Sequence, residues 1–137
     1  MFVLDCSVTM AWAFHDESTA ATLAILDRAA KEPAAVPGIW PLEVCNAVLV
    51  ALRRGRFTAQ DVPGFLDLMT ALSLVVDTPA QGHIFDEVLP LARRHGLTSY
   101  DAAYLELALR KKAPLATLDA GLARAARSAG VEVLGGA

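Results

Sequence analysis

Short runs rich in β-branched and aromatic residues alternate along this chain with longer stretches whose apolar residues recur at helical spacing. FVLD (2–5), AAVP (34–37), SLVVD (73–77), PLAT (114–117) and VEVL (131–134) read as five strands. Between them lie helical patterns at 8–14, 18–32, 41–55, 58–72, 80–96, 97–112 and 120–130. Punctuation supports the boundaries. Asp16 or Ser18 is expected to cap the second helix, Pro41 sits at a first helical position, and Gly55, Gly96 and Gly130 follow helix ends. Pro63 with Gly64 is expected to kink the fourth helix and Pro90 to bend the fifth.

Strands separated by helices imply βαβ units, and therefore an α/β fold with a mainly parallel sheet covered on both faces. Ligands in such folds gather beyond the carboxyl ends of the strands. That edge is where the acidic residues fall: Asp5, Asp77 and Asp119 end strands, while Asp101 and Glu43 open helices.

At 137 residues and 55% hydrophobic, the chain suits one core and a single domain spanning 1–137. The greasiest stretch, IWPLEVCNAVLVAL, is broken by Glu43 well short of a bilayer span, and no leader pattern opens the sequence, so a soluble, cytoplasmic protein with no membrane association is expected. Cys6 and Cys45 have no metal-type spacing and read as two reduced, mostly buried thiols. A net charge of −3 provides no global attraction to phosphates. Eight of the 12 basic residues cluster at predicted helix ends (Arg53, Arg54, Arg56; Arg93, Arg94; Arg110, Lys111, Lys112), where they complement the helix dipole and are expected to lie mostly away from the acidic edge.

Each acid has an ordinary structural explanation. Thr98 and Asp101 have capping-box spacing, Asp119 can cap the last helix, and Asp77 precedes a helix start. Glu43 is explained least well by capping, since it stands among Trp40, Leu42, Val44 and Cys45 and needs a partner; Asn46, three residues on, can hydrogen-bond it. Tyr104 either stacks on a base or packs at the core edge, and His15, His83 and His95 share no spacing and receive no role.

The segments VLDCS, PLEVCNAV, SYDAAYLELA, LATLDAGLARAA and GVEVL together resemble the PIN-domain ribonucleases, and among them the VapC-type toxins of bacterial toxin–antitoxin pairs. The likeness runs from Phe2 to Leu134. It implies a PIN-like five-stranded sheet in the order 3-2-1-4-5, with Asp5, Glu43, Asp101 and Asp119 as an acidic quartet, Ser7 and Thr117 as supporting hydroxyls and Asn46 in the same pocket. Asp77, on the edge strand, is left as a cap.

Independently of the resemblance, two carboxylates about 4 Å apart repel by roughly 4 kcal/mol at an effective dielectric of 20, so several converging without a basic partner call for a cation. Oxygen-only donors point to Mg²⁺ or Mn²⁺. Such an ion supports metal-assisted hydrolysis of a phosphodiester, with Asp5, Asp101 and Asp119 as direct or water-mediated ligands and Glu43 orienting or deprotonating the attacking water or ligating a second ion; the resemblance implies RNA as the substrate. DAGLA carries no further acid just after Asp119, unlike some relatives, which favours one ion over two. The alternative is a catalytically inactive PIN-like module that binds RNA or a partner. Phosphotransferase and receiver-domain readings fail: Ser7 stands where the former needs a second aspartate, and no lysine follows a late strand. Glycine-rich nucleotide loops are absent. The resemblance further implies a homodimer and a small antitoxin that blocks the pocket through a basic side chain; the mean hydropathy of +0.42 is consistent with apolar surface available for association.

Overall fold

A computed structural model describes residues 1–136. Its centre is β1 (Phe2–Leu4), whose three residues are fully buried because both faces of the strand are covered. β2 (Ala34–Pro37) and β3 (Leu74–Asp77) extend the sheet on one side, and β4 (Leu115–Ala116) and β5 (Val133–Leu134) on the other. All neighbours are parallel, in the order β3-β2-β1-β4-β5, with Val3 opposite both Ala35 and Leu115. The direction of winding thus reverses at β1, which places a topological switch point beside its carboxyl end.

The helices are α1 (Cys6–Ala13), α2 (Ala20–Ala29), α3 (Trp40–Arg53), α4 (Val62–Ala71), α5 (Gln81–His83), α6 (Leu89–His95), α7 (Ser99–Lys111) and α8 (Ala120–Ser128). α7 carries the central packing: Ala102, Tyr104, Leu105, Leu107 and Ala108 are all buried, and the helix contacts β1 and β2. Phe14, Phe57 and Phe65 stack edge to face at 5.8 and 6.1 Å and close the core between α1 and α4. Among the described residues, no helix is long and apolar enough to cross a membrane.

Local chemistry modifies the expected elements. The strands β1, β4 and β5 are shorter than their apolar runs: β1 loses Asp5 at its carboxyl end, β4 a residue at each end and β5 its first two. α2 is capped by Thr19, in a reciprocal pair with Thr22, rather than by Asp16 or Ser18. Pro63 produces no kink, because α4 starts at Val62 and proline is tolerated in a first turn. Pro90 stands in the first turn of α6, directly after a π-helical turn over Ile84–Val88 that joins α5 to α6. Gly96 ends α6 with φ of +64°, as a C-terminal glycine should, whereas α7 ends on Lys112 at φ +51° with no glycine to relieve it.

Asp77 is not a cap. Arg110 grips it with two nitrogens, at 3.1 and 2.5 Å, and the same guanidinium holds the buried Glu106, which also meets His83 at 2.7 Å. Arg110 is therefore committed to a network tying β3 to α7. Cys6 is half-buried and Cys45 exposed; both are free thiols, so only the expectation of burial fails.

Candidate active site

Four helices begin at the carboxyl edge of the sheet, and each brings one acid in its cap or first turn: Asp5 before α1, Glu43 in α3, Asp101 in α7 and Asp119 before α8. Helix N-termini carry partial positive charge, which offsets part of the cost of crowding carboxylates there.

Asp5 is the most deeply set, 6% exposed. The hydroxyls of Ser7 and Thr117 both donate to its Oδ2 at 2.7 Å. Each hydroxyl also accepts: Ser7 Oγ from the Leu118 N–H at 2.9 Å and Thr117 Oγ1 from the Asp119 N–H at 3.0 Å. The two residues therefore couple the end of β1 to the loop after β4 and orient one carboxylate oxygen, leaving Oδ1 without a hydroxyl partner. Burial pushes the Asp5 carboxyl upward, the hydrogen bonds pull it down, and the charge of Asp119 adds to the rise.

Asp119 caps α8, accepting the Leu122 N–H on Oδ1 at 2.8 Å, with Oδ2 uncommitted. In α7 the cap is Thr98, which accepts the Asp101 N–H at 3.1 Å; only this half of the expected capping box forms, and the Asp101 carboxylate is left free of it. Burial pushes that carboxyl up to about 6, and the charges of Asp119, Asp5 and Glu43 push the same way. These mutual effects show that the four acids share one electrostatic neighbourhood.

Glu43 accepts the Tyr104 hydroxyl on Oε1 at 2.6 Å. Burial raises its carboxyl, Tyr104 opposes that rise, and Asp5 adds to it. Asn46 does not supply this hydrogen bond; it is exposed and lines, with Glu43, Ile39, Leu42 and Tyr100, an open groove of about 210 Å³. Tyr104 is fully buried and packs in the core, so it presents no face to a base. Its contact with Glu43 is the functional relationship the sequence left unread.

Ile39 and Tyr100 also border a larger apolar cavity of about 460 Å³ lined by Asp77 and Glu106. Those two acids are already paired with Arg110. Among the described residues, none of the four quartet acids forms a salt bridge, and no three His, Cys, Asp or Glu side chains come close enough together to enclose a metal ion directly. In chemistry the donors are of the kind a hard divalent cation takes: oxygen only, anionic and outside any salt bridge.

Comparisons with known proteins agree with this geometry. The PIN domain family model matches residues 2–128. Ribonuclease VapC3 of Pyrobaculum aerophilum is 31% identical over 81 residues, 59% of this chain and 62% of that protein, so the chain spans under two thirds of the relative's length. The crystal structure of PAE2754 from the same organism superposes with a TM-score of 0.71 at 26% identity, covering 96% of this chain and 82% of that one. A toxin–antitoxin complex from Klebsiella pneumoniae shares the fold, with a TM-score of 0.57 at 17% identity and 87% of each chain covered. With a five-stranded parallel sheet in the order 3-2-1-4-5 and a family match over nearly its whole length, the chain belongs to the PIN-domain family.

Proposed function

We propose that this protein is a Mg²⁺- or Mn²⁺-dependent endoribonuclease that acts as the toxin of a toxin–antitoxin pair in the cytoplasm. The observation that carries the reading is that four helix starts bring Asp5, Glu43, Asp101 and Asp119 to the carboxyl edge of the sheet, where, among the described residues, none of them forms a salt bridge. The likeness to Ribonuclease VapC3 supports the choice of RNA as substrate.

In this reading Asp5, Asp101 and Asp119 hold the ion, directly or through water. When bound, such an ion supplies activation of a water and neutralisation of charge on the scissile phosphate. Glu43 orients the attacking water and takes its proton as the oxygen–phosphorus bond forms and the bond to the 3′ oxygen breaks. Ser7 and Thr117 act through Asp5, whose Oδ2 they occupy so that Oδ1 is presented outward. Asn46 lies on the groove wall, where its amide can meet the RNA backbone.

Exposed Leu42, Leu49, Phe85 and Leu89 provide apolar surface on α3 and around the π-helical turn for a second copy or an antitoxin. A basic side chain from the antitoxin would neutralise the quartet in place of the cation. The solved toxin–antitoxin complex that shares this fold supports such a partner. The test is cleavage of structured RNA with and without Mn²⁺, beside Asp5→Asn. Metal-dependent cleavage abolished by the substitution is expected. RNA binding with no cleavage under any metal would instead establish the non-catalytic alternative.

A further inference from the structure

Glu43 stands in the first turn of a helix that is apolar on its inner side, with Asp5, Cys6 and Asp101 as the neighbours whose charge or titration it feels or affects, and no lysine or arginine paired with it among the described residues. A half-buried glutamate in such a place has several rotamers and no cation to choose among them. Tyr104 makes the choice. It is fully buried on α7, three residues after Asp101, and its hydroxyl reaches across to α3 to donate to one named oxygen, Oε1, at 2.6 Å.

From this we infer that Tyr104 is a positioning residue: it pins Glu43 by Oε1, so that Oε2 is the oxygen offered to the water and its location is fixed relative to Asp101. The inference rests on Glu43 as the proton acceptor. A buried tyrosine hydroxyl needs an acceptor, and a backbone carbonyl would satisfy it at less cost than a partly desolvated carboxylate. Selecting a carboxylate gives two things a carbonyl would not. The hydrogen bond favours the charged form of Glu43, opposing the burial and the Asp5 charge that favour its protonated form. It also references the base to α7, the helix that carries Asp101, so the spacing between base and ion-holding groups is set by one rigid element rather than by the independent packing of α3.

The experiment is Tyr104→Phe, which keeps the ring and its packing. The expected result is a fall of about tenfold in kcat with KM unchanged, since one charge-assisted hydrogen bond to the base is lost and the RNA surface is untouched. The acid limb of the kcat profile should move to higher pH, because removing a donor to the carboxylate makes it easier to protonate. In a Glu43→Gln background the same substitution should have no further effect, the mark of residues acting through one another. Site-specific 3-fluorotyrosine at position 104, a stronger donor of the same shape, should move the acid limb the opposite way. Independent effects of the two substitutions, or an unmoved acid limb in both variants, would overturn the inference. Carbon-13 NMR titration of the Glu43 carboxyl reads the same coupling without RNA. A shift upward in Tyr104→Phe in a protein that cleaves nothing would retain the geometric link and remove only the nuclease reading, whereas an unchanged titration would remove the link.

Discussion

Thr117 and Asp5 are 112 positions apart in the chain and 2.7 Å apart in space, joined by a hydrogen bond from the threonine hydroxyl to the carboxylate. Because Thr117 Oγ1 also accepts the Asp119 N–H, one small side chain sets the spacing of two acids of the quartet.

Thr117→Val preserves the shape and removes both interactions. A buried hydrogen bond to a charged group is worth about 2 kcal/mol, and urea unfolding should show a loss of that order. RNA cleavage should fall with it. A stability change under about 0.5 kcal/mol would show that the hydroxyl is incidental.

The Asp101 carboxyl, raised from its ordinary 3.8 to about 6, makes stability depend on pH with a definite sign. The folded state holds the proton more tightly than the unfolded chain, so without a divalent ion this group's contribution is most favourable below pH 3.8 and is lost as pH rises through about 6. Asp101→Asn should therefore stabilise the metal-free protein at neutral pH by about 1 kcal/mol, a value discounted for partial solvent screening. A destabilised variant in thermal melts at pH 7.5, taken with EDTA, would contradict this.

Divalent ions should act most where the carboxylates are ionised. Mn²⁺ is expected to raise the melting temperature at pH 7.5 and to have little effect near pH 4, because binding to the folded state alone shifts stability by mass action. Asp5→Asn, Asp101→Asn and Asp119→Asn should each reduce the shift. Glu43→Gln should retain most of it, which separates the ion-holding groups from the base in differential scanning fluorimetry.

Arg110 stabilises through what it leaves behind when removed. Arg110→Met strips Glu106, only 8% exposed, of its guanidinium and frees Asp77 on the edge strand. The expected cost is about 3 kcal/mol, since an unpaired buried carboxylate is the expensive outcome of breaking such a pair. His83, 2.7 Å from Glu106, is then its remaining side-chain partner, so Arg110→Met combined with His83→Ala should cost more than either substitution alone.

Lys112 ends α7 in the left-handed region at φ +51°, a conformation that L residues with a Cβ enter at a cost. Lys112→Gly should stabilise the protein by about 0.5–1 kcal/mol despite the added freedom of the unfolded chain. Chemical denaturation is a sufficient readout.

The residues that sequence reasoning read correctly are those whose signals are local. Thr98 and Asp119 cap because their side chains reach backbone groups within three residues, and Gly96 ends α6 because the turn is made there. The strand order followed from the family resemblance, and alternating strands and helices allowed a parallel sheet without fixing its order. What stayed hidden depends on pairs distant in sequence: the hydroxyl that reaches Glu43 comes from 61 positions away, and the arginine that claims Asp77 from 33. Pro63 misled because a proline in a first turn and a proline in a helix interior look alike until the helix start is known.

The placement of β1 has a consequence for the order of folding. Its neighbour β2 follows it closely in sequence, but its other neighbour β4, which leads into Thr117 and Asp119, is separated from it by most of the helices. Asp5 therefore gains its hydroxyl partner from β4's end only when a long-range pairing has closed, the kind of contact that forms slowly in folding. A chain truncated before β4 lacks Thr117 and Asp119 and leaves Asp5 without the hydroxyl that orients it.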